Sequence, residues 1–385
     1  MRDTKTNNQT NQRNKNNKPI KIVYIMPTLD RGGAERFLTD LILNLDRQIY
    51  DPVLILFKRG GDWTAELTAA NIPVIILQKK RSWDVKNFRQ LFLALKKIRP
   101  QIVHTQLGGD LYGRLAAKLL GVPIIISTEQ NVNPDEKPLR RRLKIMTSRY
   151  ADKIVAISAA VKNDLIKRYQ TPLDKITVIH NGLEIDRFLV DEPAKLADQT
   201  KVATQIIIGT MGRLAPQKGQ AILIEAGRKI DLPNWSCLIA GAGSLEKKLT
   251  DQINELGLSQ KIKLTGPQAE ASRFLRGLDI FVLPSLWEGL GIVLLEAGLS
   301  GRPIIASRVD GITEIIDETT GWLVPAGDSE ELARRITWLG NNLNNPLVQE
   351  KSRRLKEKII RHFSISTITQ RYSDLYQALL EQKNK

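Results

Sequence analysis

Short apolar runs rich in Ile and Val recur along the chain, separated by stretches with helical patterns of apolar and polar residues. Runs of this length bounded by turn residues predict strands. Seven fall in the first half, IKIVYIM, PVLILF, PVIIL, QIVHT, PIIIST, KIVAIS and KITVIH. After a polar stretch, DEPAKLADQTKVATQ, the pattern restarts with QIIIGTMG, WSCLIAG, KIKLTG, DIFVLP, RPIIAS and GWLV. Strands alternating with helices predict parallel sheets, and the restart predicts two α/β, doubly wound domains. The boundary is expected between Phe188 and Ala203, dividing the chain into units 19–188 and 203–362. A last helical pattern, SISTITQRYSDLYQALLEQ at 364–382, follows with no further strand and is expected to cross back onto the first domain.

Composition agrees with that division, since 385 residues at 42% hydrophobic can bury two cores where one domain takes about 100 to 200 residues. The single cysteine, Cys237, excludes an internal disulfide framework and fits the cytoplasm. Residues 1–18 are polar, basic and Asn-rich, without the apolar centre of a signal peptide, and are expected to be a disordered tail. No apolar run approaches membrane-spanning length, so any membrane contact would be peripheral. Charge is uneven: residues 1–185 hold 32 Lys and Arg against 17 Asp and Glu, whereas 186–385 hold 26 against 24. The first half therefore meets something anionic. In KPLRRRLK the cations Arg140, Arg141, Arg142 and Lys144 share a predicted helix with Leu139, Leu143 and Met146, a pattern suited to an anionic lipid surface on the cytoplasmic face. A solvated basic face is the plain alternative.

The most informative stretch is EGLGIVLLEAGLSGRPIIAS, where the run IFVLP breaks into a glycine-rich turn and a helix beginning near Leu290. Gly289 and Gly291 admit backbone angles closed to other residues and let a ligand approach the main chain. A helix starting there aims unpaired N–H groups and its positive end at an anion such as a diphosphate. Glu288 precedes the helix and Glu296 lies about two turns along it, so the carboxylates suit separate hydroxyls of one extended ligand. Sugar and ribose are such a pair. In GTMGRLAPQKGQ, Arg213 and Lys218 flank a strand-to-helix turn and can converge on one phosphate pair, their charge replacing a metal. No Asp-x-Asp occurs, and His104, His180 and His362 lack ligand spacing, so no metal is expected. Gly32 and Gly33 in LDRGGAERFL take the position of a phosphate- or sugar-facing loop, although the full G-x-G-x-x-G is absent. His104 ends the fourth run at the expected cleft edge, where a structural role is the alternative. Gly241 and Gly243 in AGAGS and Gln268 in TGPQ end strands and offer backbone groups to a base.

With these residues in hand, the chain from Lys21 onward resembles the retaining glycosyltransferases of family 4, the group 1 enzymes of GT-B fold. The resemblance rests on GGAERFL, His104, HNGLEIDRF, GRLAPQKG, AGAGS and the Glu-x7-Glu segment taken together. It implies two Rossmann-like domains facing across a cleft, with no cofactor beyond a nucleotide-sugar co-substrate. Arg213 and Lys218 would hold the diphosphate as the glycosidic bond breaks, Glu288 would sit by the sugar, Glu296 would bind the ribose, and His104 would lie on the acceptor side. Many relatives carry a histidine near the end of the fifth run, where the stretch STEQNVN offers Glu129 and Gln130 instead. Gln130 can bind a sugar hydroxyl but cannot shuttle a proton. The resulting expectation is a cytoplasmic, metal-independent hexosyltransferase that moves sugar to a lipid-linked or glycan acceptor in envelope polysaccharide or glycolipid synthesis, with no nucleic-acid partner. The rivals are a GT-B epimerase or phosphorylase, and a catalytically vestigial basic module that binds membrane or nucleic acid.

Overall fold

In a computed structural model that describes residues 18–30, 32–77, 84–189 and 205–384, all thirteen apolar runs become strands of two parallel sheets. The first holds β1 (Ile20–Met26), β2 (Tyr50–Leu56), β3 (Val74–Ile76), β4 (Ile102–Gln106), β5 (Ile124–Glu129), β6 (Lys153–Ala156) and β7 (Ile176–Val178), in the order β3-β2-β1-β4-β5-β6-β7. The second holds β8 (Ile206–Met211), β9 (Trp235–Ala240), β10 (Ile262–Gly266), β11 (Ile280–Leu283), β12 (Ile304–Ser307) and β13 (Trp322–Val324), in the order β10-β9-β8-β11-β12-β13. Both orders reverse at the first strand of the unit, and ligands of such sheets bind at the carboxyl ends beside that reversal.

Helices α1 (Gly33–Leu43), α2 (Thr64–Ala69), α3 (Val85–Ile98), α4 (Asp110–Leu119), α5 (Pro138–Ser148) and α6 (Ala159–Tyr169) belong to the first unit. The second has α7 (Gln220–Gly227), α8 (Glu246–Glu255), α9 (Ala271–Arg276), α10 (Ile292–Leu299), α11 (Asp310–Thr313) and α12 (Ser329–Asn341), followed by α13 (Pro346–Phe363) and α14 (Ile365–Asn384). Local chemistry sets several of their ends. Asp84, Ser158 and Asp328 cap α3, α6 and α12 by accepting from amides two or three residues on, which satisfies donors the helix leaves orphaned. Arg99 and Gln170 close α3 and α6 in the left-handed conformation.

The chain crosses between the units twice. The boundary expected between Phe188 and Ala203 falls largely on residues 190–204, which lie outside the described residues, as do residues 1–17 of the basic tail. At the second crossing Leu183 donates to the Phe363 carbonyl at 3.0 Å and accepts from Ile365 at 2.9 Å. α14 then lays Ile368, Tyr372, Tyr376 and Leu379 into the core that also holds Ile22 and Tyr24 of β1 and Phe37 of α1. Each buried ring contributes about 2 kcal/mol. A further apolar core joins Ile157, Leu165 and Leu183 of the first unit to Leu290, Leu294, Ile312 and Ile359 of the second. Among the described residues no helix is long and apolar enough to cross a membrane.

Candidate active site

The second unit supplies a partly buried ion pair at the carboxyl end of its sheet. β8 runs into a turn at Arg213 that the AGAGS loop grips: Leu214 donates to the Ala242 carbonyl at 2.9 Å. A β-carbon on Gly241 or Gly243 would stand 2.0 Å from the Gly212 carbonyl oxygen or 2.3 Å from that of Leu214. Beyond it, Gly219 takes φ 63°, and its α-carbon is so near Pro284 that a β-carbon would meet that carbonyl oxygen at 2.0 Å. That approach carries Lys218 to the segment after β11. Lys218 Nζ donates to Glu288 Oε1 at 2.6 Å, Ser285 Oγ to the same oxygen at 2.7 Å, and Gln217 Nε2 to Oε2 at 3.4 Å. Glu288 is 5% exposed, so its carboxylate aims the ammonium rather than meeting bulk water. Arg213 is exposed, with a long 3.5 Å contact from its guanidinium to Gln217 Oε1, so most of its donors remain free for an anion.

Two helix starts meet across the cleft. Gly291, at φ 78°, precedes α10, and a β-carbon on Gly33, the first residue of α1, would come 3.0 Å from Ile292 Cδ1, on the first residue of α10. Both ends carry unpaired amides and a positive dipole end. Glu296 follows on α10, where burial and the Asp40 carboxylate push its carboxyl up to about 7. Asp40, on α1, is itself pushed up to about 6 by burial, against the pull of Arg36, and pairs with Arg187 at 3.0 Å. Burial also raises Glu35, which feels Arg213 of the facing unit. Gly32 packs against the Glu35 carboxylate.

The first unit sets an amide at the cleft floor. Gln130 Nε2 donates to Gln106 Oε1 at 3.0 Å, and Asn181 Nδ2 donates to Gln130 Oε1 at 2.7 Å, so both ends of the Gln130 amide are fixed. Its main chain closes on the facing turn, since a β-carbon on Gly289 would lie 2.7 Å from the Gln130 carbonyl oxygen. Gln217 Nε2 also reaches Asn131 Oδ1 across the units at 3.4 Å.

Three sequence expectations are corrected here, at His104, at Lys144 and at the start of α10. His104 is fully buried away from the cleft, with Nδ1 2.7 Å from the Tyr376 hydroxyl and Nε2 2.7 Å from Thr128 Oγ1. Burial pushes it down to about 3, leaving a neutral ring that fastens α14 to the sheet. Lys144 points inward, 2.5 Å from Glu129 Oε2 and 4.6 Å from the Tyr169 ring centre, and is closed to a membrane, while Arg140, Arg141 and Arg142 are exposed. The Leu290 side chain is core, leaving its backbone to the turn. Gln268 spends its amide on Thr265 and Gly266 at 3.2 Å. The helix after the glycine turn starts at Ile292 rather than near Leu290 because Gly291 is still left-handed. Sequence reasoning missed Ser285, whose partner Glu288 is three positions on, and Gln106, Asn181, Gln217 and Asp40, whose importance comes from partners 24 to 71 positions away or from the facing helix. A signal was available for Asn181, which lies within HNGLEIDRF, and for Ser285, three residues before Glu288.

Known proteins share this architecture. Residues 191–362 match the family described as glycosyl transferases group 1, and residues 31–187 match glycosyltransferase family 4. The UDP-Gal:alpha-D-GlcNAc-diphosphoundecaprenol alpha-1,3-galactosyltransferase of Escherichia coli is 27% identical over 93% of this chain and 96% of its own. The capsular polysaccharide biosynthesis glycosyltransferase CapM of Staphylococcus aureus is 26% identical over 78% and 82%. Among solved structures, Anabaena HepE in complex with UDP and glucose superposes with a TM-score of 0.84 at 22% identity, over 93% of this chain and all of that one.

Proposed function

The chain belongs to the group 1 glycosyltransferases, with the GT-B fold, and we propose that it transfers a hexose, with retention and without a metal, from a nucleotide-diphosphate sugar to a lipid-linked acceptor in polysaccharide or glycolipid assembly. The observation that carries this reading is the Lys218–Glu288 pair set beside the free cation of Arg213, under two converging helix starts. A diphosphate leaving group gathers negative charge as the glycosidic bond breaks, and fixed cations and amides stabilise that charge without reorganising. Lys218, held by Glu288, and Arg213 meet the phosphates. Glu288 and the Gln130 amide border the sugar, and Glu296 accepts from the ribose hydroxyls. In this reading the donor phosphate takes the acceptor proton.

A UDP donor and a diphospholipid acceptor are supported by the relatives' substrates and ligands. The peripheral-membrane reading gains support from α3, α4 and α5, which pack side by side. Together they expose Lys86, Arg89, Lys96, Lys97, Lys118, Arg140, Arg141 and Arg142 with Leu93, Leu119, Leu139 and Met146, and no carboxylate. Calorimetry against UDP, GDP, ADP and their sugars, with and without EDTA, tests the donor site. EDTA-insensitive binding of one nucleotide is expected, and NMR of the product then reads the anomer. No binding across the panel, or turnover of donor without an acceptor, would refute transferase action. Flotation with phosphatidylglycerol vesicles at low salt tests the basic face, which the triple change Arg140→Glu, Arg141→Glu, Arg142→Glu should release.

A further inference from the structure

Glu314 follows α11 in the second unit, yet its carboxylate is bound entirely by the first. Oε2 accepts from the Ala159 amide at 2.9 Å and from His180 Nε2 at 3.0 Å, and Oε1 accepts from the Ala160 amide at 3.2 Å. Ala159 and Ala160 are the first two residues of α6, so the carboxylate sits on the positive end of an eleven-residue helix whose cap, Ser158, already serves Val161. Burial opposes the charge, but the hydrogen bonds from His180 and the two amides outweigh it and hold the carboxyl below its ordinary value.

The position of this contact gives it meaning. His180 packs its ring on Phe363, 5.3 Å between centres, at the second crossing where Leu183 pairs with Ser364. On its other side, α11 rests on the candidate donor turn: a β-carbon on Gly311 would stand 2.5 Å from the Gly289 carbonyl oxygen and 2.6 Å from that of Glu288. One short segment therefore reaches the second crossing through His180 and touches the backbone of the residue that aims Lys218.

We propose that Glu314 is a positioning residue for transfer: its carboxylate, seated on the start of α6 and on His180, fixes the angle at which the donor-side unit closes on the acceptor-side unit. The kinetic part rests on the transferase reading above. Glu314 touches neither Lys218 nor Arg213, so nucleotide binding within the second unit survives its loss, while chemistry that needs both units does not.

The test uses the full chain with spin labels at Lys96→Cys and Lys247→Cys, both exposed, Cys237 being buried. Glu314→Gln keeps the shape but removes the charge and one acceptor, and Glu314→Ala removes the contact. Both should widen and broaden the interlabel distance, graded Gln then Ala, and leave the Kd for UDP within threefold. They should lower kcat by about ten- to a hundredfold, the range expected when reacting groups shift by about 1 Å. An unchanged distance in both variants, an unchanged kcat, or a Kd for UDP that weakens in step with kcat would overturn the proposal. If the unaltered chain binds no nucleotide, the donor reading fails and the label distances still decide the clasp.

Discussion

Replacing Lys218 with Met separates two consequences of the Lys218–Glu288 pair. The ammonium is 18% exposed and the carboxylate 4%, which places the pair between a surface ion pair, worth at most about 1 kcal/mol, and a buried one, whose breaking costs about 3 to 5 kcal/mol. Ser285 and Gln217 remain to hold Glu288, so a loss of about 2 kcal/mol is expected. In a domain of this size that lowers the melting temperature by roughly 4 to 8 °C. Adding Glu288→Gln removes the stranded charge, and the double variant should recover most of the stability. Turnover should not recover: Lys218→Met, Glu288→Gln and the double variant should each fall by about 10² to 10³-fold, with the double no worse than Lys218→Met, because the two residues present one charge. The assays are calorimetric melting and nucleotide release from the preferred sugar donor. Turnover of Lys218→Met within tenfold of the unaltered chain, or a double variant whose stability losses simply add, would refute the reasoning.

Glu296 and Asp40 bind protons more tightly when folded, so stability should fall as pH rises from about 4 to about 7. Glu296→Gln should flatten that slope, raise stability at pH 8 by up to about 3 kcal/mol and weaken UDP binding, as melting curves and calorimetry would show. His104→Ala leaves the Tyr376 hydroxyl with Tyr24 alone and the Thr128 hydroxyl with a long contact to Tyr372, and should cost about 2 to 3 kcal/mol, while the pH profile of kcat/KM for the folded fraction stays in place. A displaced profile would restore an acid-base role to this ring. Gly289→Ala meets the Gln130 carbonyl and should hold the cleft ajar, lowering kcat by about tenfold or more and enlarging the radius of gyration in solution scattering.

Strand positions were legible because each run is apolar and short, and both faces of a parallel sheet are covered. The turn residues were legible too: Gly219, Gly241 and Gly291 take positive φ, which glycine tolerates best. Side-chain direction was not. His104 and Gln106 share one face of β4, and which of them α14 covers and which reaches Gln130 depends on a helix more than 250 residues away. Lys144 looked like its neighbours Arg140 to Arg142, but it points at Glu129, which only the folded chain brings beside it. The Glu314 contact joins residues 134 to 155 positions apart, a distance over which local pattern carries no information.

The return of α14 also has a temporal side. The imidazole of His104 and the hydroxyl of Tyr376 are 272 residues apart, so a ribosome working at about 5 to 20 residues per second leaves the ring unpartnered for roughly 14 to 54 s. Through that interval Ile22, Tyr24 and Phe37 lack the aromatic cover supplied by Tyr372 and Tyr376, while the second unit can already form behind them. The nascent chain must therefore keep its earliest sheet from sticking to neighbours until its latest helix emerges. A stop codon shortly before residue 365 would spare every cation of the donor pocket and still yield a protein prone to aggregate.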